Sequence, residues 1–191
     1  MDPKITVDEQ GRKVYTLSIG RLQRVALLFI IPLLLMFGLP FYLIWGVNVL
    51  VALRFRSFLF LVLFIIGGVI IHELLHGIAW ALFSKHGFKS IQFGIKWEYL
   101  TPYCHCTEHL KVWQYIIGAL APVFCMGLIP AVWALFNGNA LLMFFGIFYM
   151  WTAAGDITAV WIIKNFHRNQ VIYDHPEELG FIVVEEKPED R

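Results

Sequence analysis

Residues 58–83 read FLFLVLFIIGGVIIHELLHGIAWALF, an apolar run whose only ionisable side chains are His72, Glu73 and His76. The run exceeds the roughly 20 residues a helix needs to cross a hydrocarbon core of about 30 Å. Its interruption is the pattern H-E-x-x-H. On a helix the two histidines at i and i+4 lie one above the other, so both imidazoles can reach one Zn²⁺, and Glu73 is displaced sideways toward a metal-bound water. In a soluble helix the same pattern can arise by chance, because a surface accepts His and Glu cheaply. Inside a spanning helix each charge is unfavourable by roughly 2.5–3.5 kcal/mol on insertion scales, so ionisable groups there mark ion, proton or metal sites.

The composition agrees with a membrane setting. Of 191 residues, 59% are hydrophobic and 15% charged, and the mean hydropathy is +0.67; a soluble domain carries about 25% charged residues. The expectation is an all-α integral membrane protein, a single metallopeptidase-like domain over residues 1–191, built as a four-span helical bundle from the runs 25–53, 58–83, 112–136 and 140–163. The first run contains Pro32, Pro40, Gly46 and Asn48, so it is expected to kink or to end near Trp45 with an interfacial continuation. It is too long for a signal-peptide core and no small-x-small site follows, so it should remain in the mature chain. A net charge of +1 points to no polyanionic partner, and nothing suggests nucleic-acid binding.

Lysine and arginine set the orientation. Lys4, Arg12, Lys13, Arg21 and Arg24 precede the first span; Lys85, Lys89, Lys96 and Lys111 lie between spans two and three; Lys164, Arg168, Lys187 and Arg191 follow the fourth. The other side receives Arg54 and Arg56, and the turn Asn137-Gly138-Asn139 has no charge. The positive-inside rule therefore places both termini and the loop 84–111 in the cytoplasm.

Glu73 and Asp156 are the only acids inside the four apolar runs. Spans two and four descend in the same direction, and at 1.5 Å per residue the depths of His72, His76 and Asp156 agree within a few ångströms. Asp156 can thus complete a His₂-carboxylate set, which leaves one position of a tetrahedral zinc for water, as catalytic sites do. The alternative for Asp156 is an interhelical hydrogen bond to Thr, Tyr or Trp. In the catalytic reading zinc acidifies its water, and Glu73, near the metal but not bound to it, takes the proton and returns it to the leaving amine.

Between spans two and three, residues 88–106 change period. Ile91, Phe93, Ile95, Trp97 and Tyr99 alternate with more polar neighbours, a half-buried strand pattern, and 100–106 is its expected hairpin partner. Such a hairpin either presents an extended substrate by edge pairing or merely covers the helices. Cys104, His105, Cys106 and His109 fit no standard zinc spacing, and neighbours on a strand point to opposite faces, so the cysteines read as loop thiols rather than part of a second metal site. Three cysteines, with Cys125 inside span three, form no disulfide framework. His86, His167 and His175 fall in polar flanks. Gly67-Gly68 and Gly118-Ala119 with Pro122 suit close helix packing, and Trp45, Trp80, Trp113 and Trp161 sit where interfacial anchors do. The tail 174–184 reads as a turn and a short strand.

His72-Glu73-Leu74-Leu75-His76-Gly77, Thr101-Pro102-Tyr103, Gly155-Asp156 and Asp174-His175-Pro176 resemble a bacterial membrane family described as putative zincin peptidases, from span two onward. More distantly, the chain is similar to site-2 intramembrane metalloproteases, a resemblance that implies His72, His76 and Asp156 as zinc ligands and Glu73 as catalyst. The Asp-Gly pair usual in that class is reversed here as Gly155-Asp156, and no PDZ-like module is present to select substrates. The function so implied is zinc-dependent hydrolysis of a peptide bond in a membrane or membrane-adjacent protein near the cytoplasmic face. The alternative is a non-catalytic metal-binding or metal-transporting membrane protein, since His, Glu and Asp can also line an ion path.

Overall fold

Two prolines shape the longest apolar helices. In chain order the elements begin with β1 (Lys4–Val7), β2 (Lys13–Thr16), α1 (Ile19–Leu33) and α2 (Leu39–Trp45). The last two are joined by a π-helical turn, Leu34–Gly38. Pro40 cannot donate to the Met36 carbonyl and its ring crowds that group. The wider turn, with Leu39 N–H on the Leu34 carbonyl, carries the helix past the crowding without a break. α3 (Phe55–Ala81) follows, then β3 (Ile91–Lys96), β4 (Thr101–Cys106), β5 (Leu110–Lys111) and α4 (Val112–Pro122). A second π-turn, Val123–Leu128, leads into α5 (Ile129–Asn137) ahead of Pro130, with Ile129 N–H directed at the Phe124 carbonyl. α6 (Ala140–Thr152), α7 (Ala154–Ile163), β6 (Val171–Asp174) and β7 (Gly180–Val184) complete the order. The computed structural model describes residues 3–8, 12–46, 55–97, 101–175 and 180–184.

Among the described residues, three helical stretches are long and apolar enough to cross a membrane: Gly20–Trp45, Val62–Ala81 and Val112–Asn137. The pair α6 and α7, bent by 48°, makes a fourth if it forms one span. Their outer faces are apolar and exposed, as at Leu28, Leu43, Leu63, Ile70 and Phe136, a surface suited to lipid and not to water. The first helix ends at Trp45, where Gly46 turns with φ +74; the expected continuation over 47–53 lies outside the described residues. The rods pack through Leu33, Phe37 and Phe41 of the first against Ala131, Ala134, Met143, Ile147 and Met150.

The all-α expectation is corrected by two sheets. One is the expected hairpin, β3–β4, in register Ile91↔Cys106, Phe93↔Cys104 and Ile95↔Pro102; residues 98–100 lie outside the described residues, and Gly87–Ser90 ahead of β3 is a 3₁₀ turn. The other is a five-stranded sheet in the order β1-β2-β7-β6-β5. Its strands are two to five residues long, too short to display a period, and β2 finds its partner β7 at the far end of the chain. Tyr15 stacks on Phe181 with ring centroids 5.2 Å apart, and Leu110, Ile172 and Val183 are buried beneath. The strand expected over the tail is β7, while 176–179 and 185–191 lie outside the described residues. This sheet gathers the N-terminal segment, the segment before α4 and the C-terminal segment at one end of the helices.

Candidate metal centre

His72 and His76 stand one turn apart on α3, buried, with ring centroids 4.9 Å apart. The break between α6 and α7 turns the next helix so that Asp156, in its first turn, faces them. Asp156 Oδ2 lies 3.3 Å from His72 Nε2 and Oδ1 lies 3.5 Å from His76 Nε2. One donor atom from each residue lies within 4.8 Å of the other two, the one group of His, Cys, Asp or Glu able to hold a metal ion among the described residues. These separations suit a metal. Donor atoms bonded at about 2.0 Å to one tetrahedral zinc sit about 3.3 Å apart, whereas a charge-assisted His–carboxylate hydrogen bond would close to about 2.7–2.9 Å.

The second nitrogens of the rings differ. His76 Nδ1 lies 2.9 Å from the Gly118 carbonyl; a carbonyl can only accept, so Nδ1 carries the proton and Nε2 keeps its lone pair for the site. His72 Nδ1 is buried without a hydrogen-bond partner among the described residues. His76 is further held by Trp80, stacked on its ring at 5.2 Å and 15°. Trp80 Nε1 donates to the Tyr115 carbonyl at 3.1 Å. A Cβ at residue 118 would lie 2.0 Å from Trp80 Cδ1, so only glycine permits this approach of α3 to α4. Trp80 is therefore no interfacial anchor: it is 4% exposed, on the same α3 face as the histidines.

Glu73 projects from the same helix beside the three donors and outside their set. The backbone amide of Cys104 in β4 faces its carboxylate. β4 is fastened in turn by Asp174, which accepts from Cys106 N–H at 3.0 Å and from the Tyr115 hydroxyl, and lies 3.4 Å from His105 Nδ1. Burial pushes the Asp174 carboxyl up from its usual range, and it pushes the Cys104 and Cys106 thiols up as well. Thiols so held are poor metal ligands. Both cysteines lie in β4, so they are strand thiols and not the loop thiols expected. His86 is exposed and bound to Glu108, 2.6 Å from Nδ1 to Oε1.

A helix dense in apolar residues, two inward imidazoles and a carboxylate brought to them from another helix define an apolar-helix protein with a zincin-type metal-binding motif. The chain belongs to the family described as "putative zincin peptidase", whose model matches residues 65–171, from α3 to the start of β6. Membership supports a metallopeptidase. No curated protein and no solved structure matches the chain. Sequence alone brought out His72, Glu73, His76 and Asp156; it placed Gly118 in close helix packing, which the structure bears out, and Asp174 in the tail, but it did not show the contacts by which Gly118 meets His76 and Asp174 holds β4. Trp80 was open to discovery, since 72, 76 and 80 share one helical face.

Proposed function

We propose that the protein is a zinc-dependent intramembrane metalloprotease that cuts a membrane or membrane-adjacent protein near the cytoplasmic face. The observation that carries this reading is the convergence of His72 Nε2, His76 Nε2 and an Asp156 oxygen, with Glu73 beside them but outside the donor set. His72, His76 and Asp156 would hold Zn²⁺, which when bound supplies Lewis-acid activation of a water and of the scissile carbonyl. Glu73 accepts the proton of the attacking water and passes it to the leaving amine. Gly118, through the His76 Nδ1–H bond, keeps that ring turned to the site. Both termini lie in the cytoplasm on this reading, where thirteen of the fifteen lysines and arginines gather.

Edge pairing of an extended substrate has one suitable edge. In the β3–β4 register, the amides of Cys106 and Cys104 point away from β3 toward Asp174 and Glu73, and Pro102 has none. The outward amides of the hairpin are then those of Phe93 and Ile95 on β3. Ile95→Pro removes such a donor without a ladder bond and is expected to lower cleavage at unchanged zinc content. The test of the whole reading is metal analysis of purified wild type and Glu73→Gln, with trapping of a membrane substrate by the variant. Zinc in both proteins and cleavage only by the wild type is the expected result; cleavage by Glu73→Gln defeats the assignment.

A further inference from the structure

The five-stranded sheet reaches beyond the helix ends that it covers. In the rows Ile5↔Tyr15↔Phe181 and Val7↔Lys13↔Val183 the paired residues share one face. Tyr15, Phe181 and Val183 pack that face against the helix ends, in one core with Val112, Tyr115, Ile162 and Ile163. Exposure is 7% at Tyr15 and 1% at Phe181 and Val183, but 56% at Ile5 and 64% at Val7. β1 therefore overhangs the bundle. Its two branched side chains stand on the face that looks toward the helices, and Lys4 and Thr6 stand on the other. Edge strands that face water are commonly blunted by charge or proline, and positions 5 and 7 carry neither.

Two helices mark the level of the lipid headgroups at this end. Arg21 and Arg24 are exposed at the start of the apolar stretch Gly20–Trp45. Arg21 Nε donates to Ser18 Oγ at 3.0 Å and Arg24 Nε to the Gly20 carbonyl at 3.3 Å. Both side chains so turn back toward the sheet, as arginines near the end of a span do to reach headgroups. On α7, Lys164 Nζ sits 3.0 Å from the centroid of the exposed Trp161 ring, a pairing suited to the membrane interface. Tyr15 lies three residues before Ser18, and its ring meets that of Phe166, two residues past Lys164, at 5.3 Å. Ile5, paired with Tyr15, is thus at headgroup level, and what lies beside the helices at that level is the bilayer.

We infer that the β1–β2 hairpin lies on the bilayer surface, with Ile5 and Val7 in the headgroup layer and Lys13, opposite Val7 on the same face, meeting anionic headgroups together with Arg21 and Arg24. Interfacial binding of this kind combines buried apolar area with attraction to anionic lipid. Residues 1–24 carry five bases against three acids, so the charge has the required sign. The inference rests on the apolar helices crossing a bilayer and stands whether or not the protein cleaves peptides.

The test uses the full chain in vesicles of phosphatidylcholine mixed with phosphatidylglycerol. Spin labels are placed by Ile5→Cys and Val7→Cys, and on the other face by Lys4→Cys and Thr6→Cys, in a background without the native thiols. Relative to oxygen, which partitions into lipid, a neutral water-soluble nickel complex is expected to reach labels at 5 and 7 several-fold less than labels at 4 and 6. Equal nickel access at all four positions would leave the hairpin in water, and low access to both reagents at 5 and 7 would place it against protein, a second copy or a partner. Either overturns the inference. The wild type gives a second readout without any substitution: amide hydrogen exchange over 4–7 and 13–16 should be several-fold slower in the mixed vesicles than in phosphatidylcholine alone, and equal exchange would overturn the contact with anionic headgroups.

Discussion

The Nδ1 atom of His76 lies 2.9 Å from the carbonyl oxygen of Gly118, so the residue that orients one imidazole has no side chain. Gly118→Ala would set a methyl 2.0 Å from where Trp80 Cδ1 now lies. Trp80 must then move, and with it the ring it stacks on. Loss of such an outer-shell contact costs about 10–100-fold in metal affinity. Competition for zinc against a chromogenic chelator should show that loss in the folded variant; unchanged affinity would mean that Gly118 does not orient His76.

The two candidate roles in H-E-x-x-H separate under substitution. Glu73→Gln should keep the metal and lose turnover by about 10²–10⁴-fold or more, the range for removing a general base. His76→Ala and Asp156→Ala should lose both. Chelation should lower the melting temperature of wild type and Glu73→Gln but not of the ligand variants, because a metal stabilises only a chain that binds it. Parallel loss of metal and turnover in Glu73→Gln would favour an ion path over a hydrolase.

The convergence of His72, His76 and Asp156 is legible in the sequence because its geometry is local or scales with length. Two histidines one turn apart need only the helix period, and Asp156 was placed by counting residues from the ends of two spans. The five-stranded sheet was not legible: β1 and β2 are four residues each, and β2 pairs with β7 across nearly the whole chain. Nor does a proline mark the bend after Thr152 that aims Asp156. The π-turns leave a trace in hindsight, each ending just before Pro40 or Pro130.

Topology has a direct check. With four crossings, reporters fused after Arg191 and inserted at Gly138, in the turn after α5, should lie on opposite sides, the first cytoplasmic. The shared sheet of β2 and β7 already requires the two terminal segments to lie on one side. Reporters on the same side would mean that α6 and α7 do not form a span.

Glu108 ties the turn after α3 to the hairpin. Its carboxylate accepts from Lys85 N–H at 2.7 Å, His86 N–H at 3.0 Å and Ser90 Oγ at 2.5 Å. The Ser90 hydroxyl and these neighbours hold its carboxyl at about 2, below the ordinary 4.5. A depressed carboxyl contributes stability that is present above its unfolded value and lost as the pH falls through the folded one. Wild type should therefore lose stability between about pH 4.5 and 2, and Glu108→Gln should be less stable at neutral pH with a flatter acid limb. Parallel acid limbs, from melting temperatures measured down that range in one detergent, would remove Glu108 as the source.

Asp174 holds the base of the hairpin to α4 and the sheet, since one buried carboxylate serves Cys106 N–H and the Tyr115 hydroxyl. Asp174→Ala leaves both donors buried and unpaired, at a cost of about 1–3 kcal/mol each. Asp174→Asn keeps an acceptor oxygen and should cost less. A native reporter is available, for Cys106 is 2% exposed and its thiol is pushed up by burial, so it should resist alkylation in the wild type. Maleimide labelling of Cys106, followed by mass spectrometry of the folded protein, should rise in the order wild type, Asp174→Asn, Asp174→Ala. Equal labelling in all three would show that the hairpin is held by its contacts with α3 and not by Asp174.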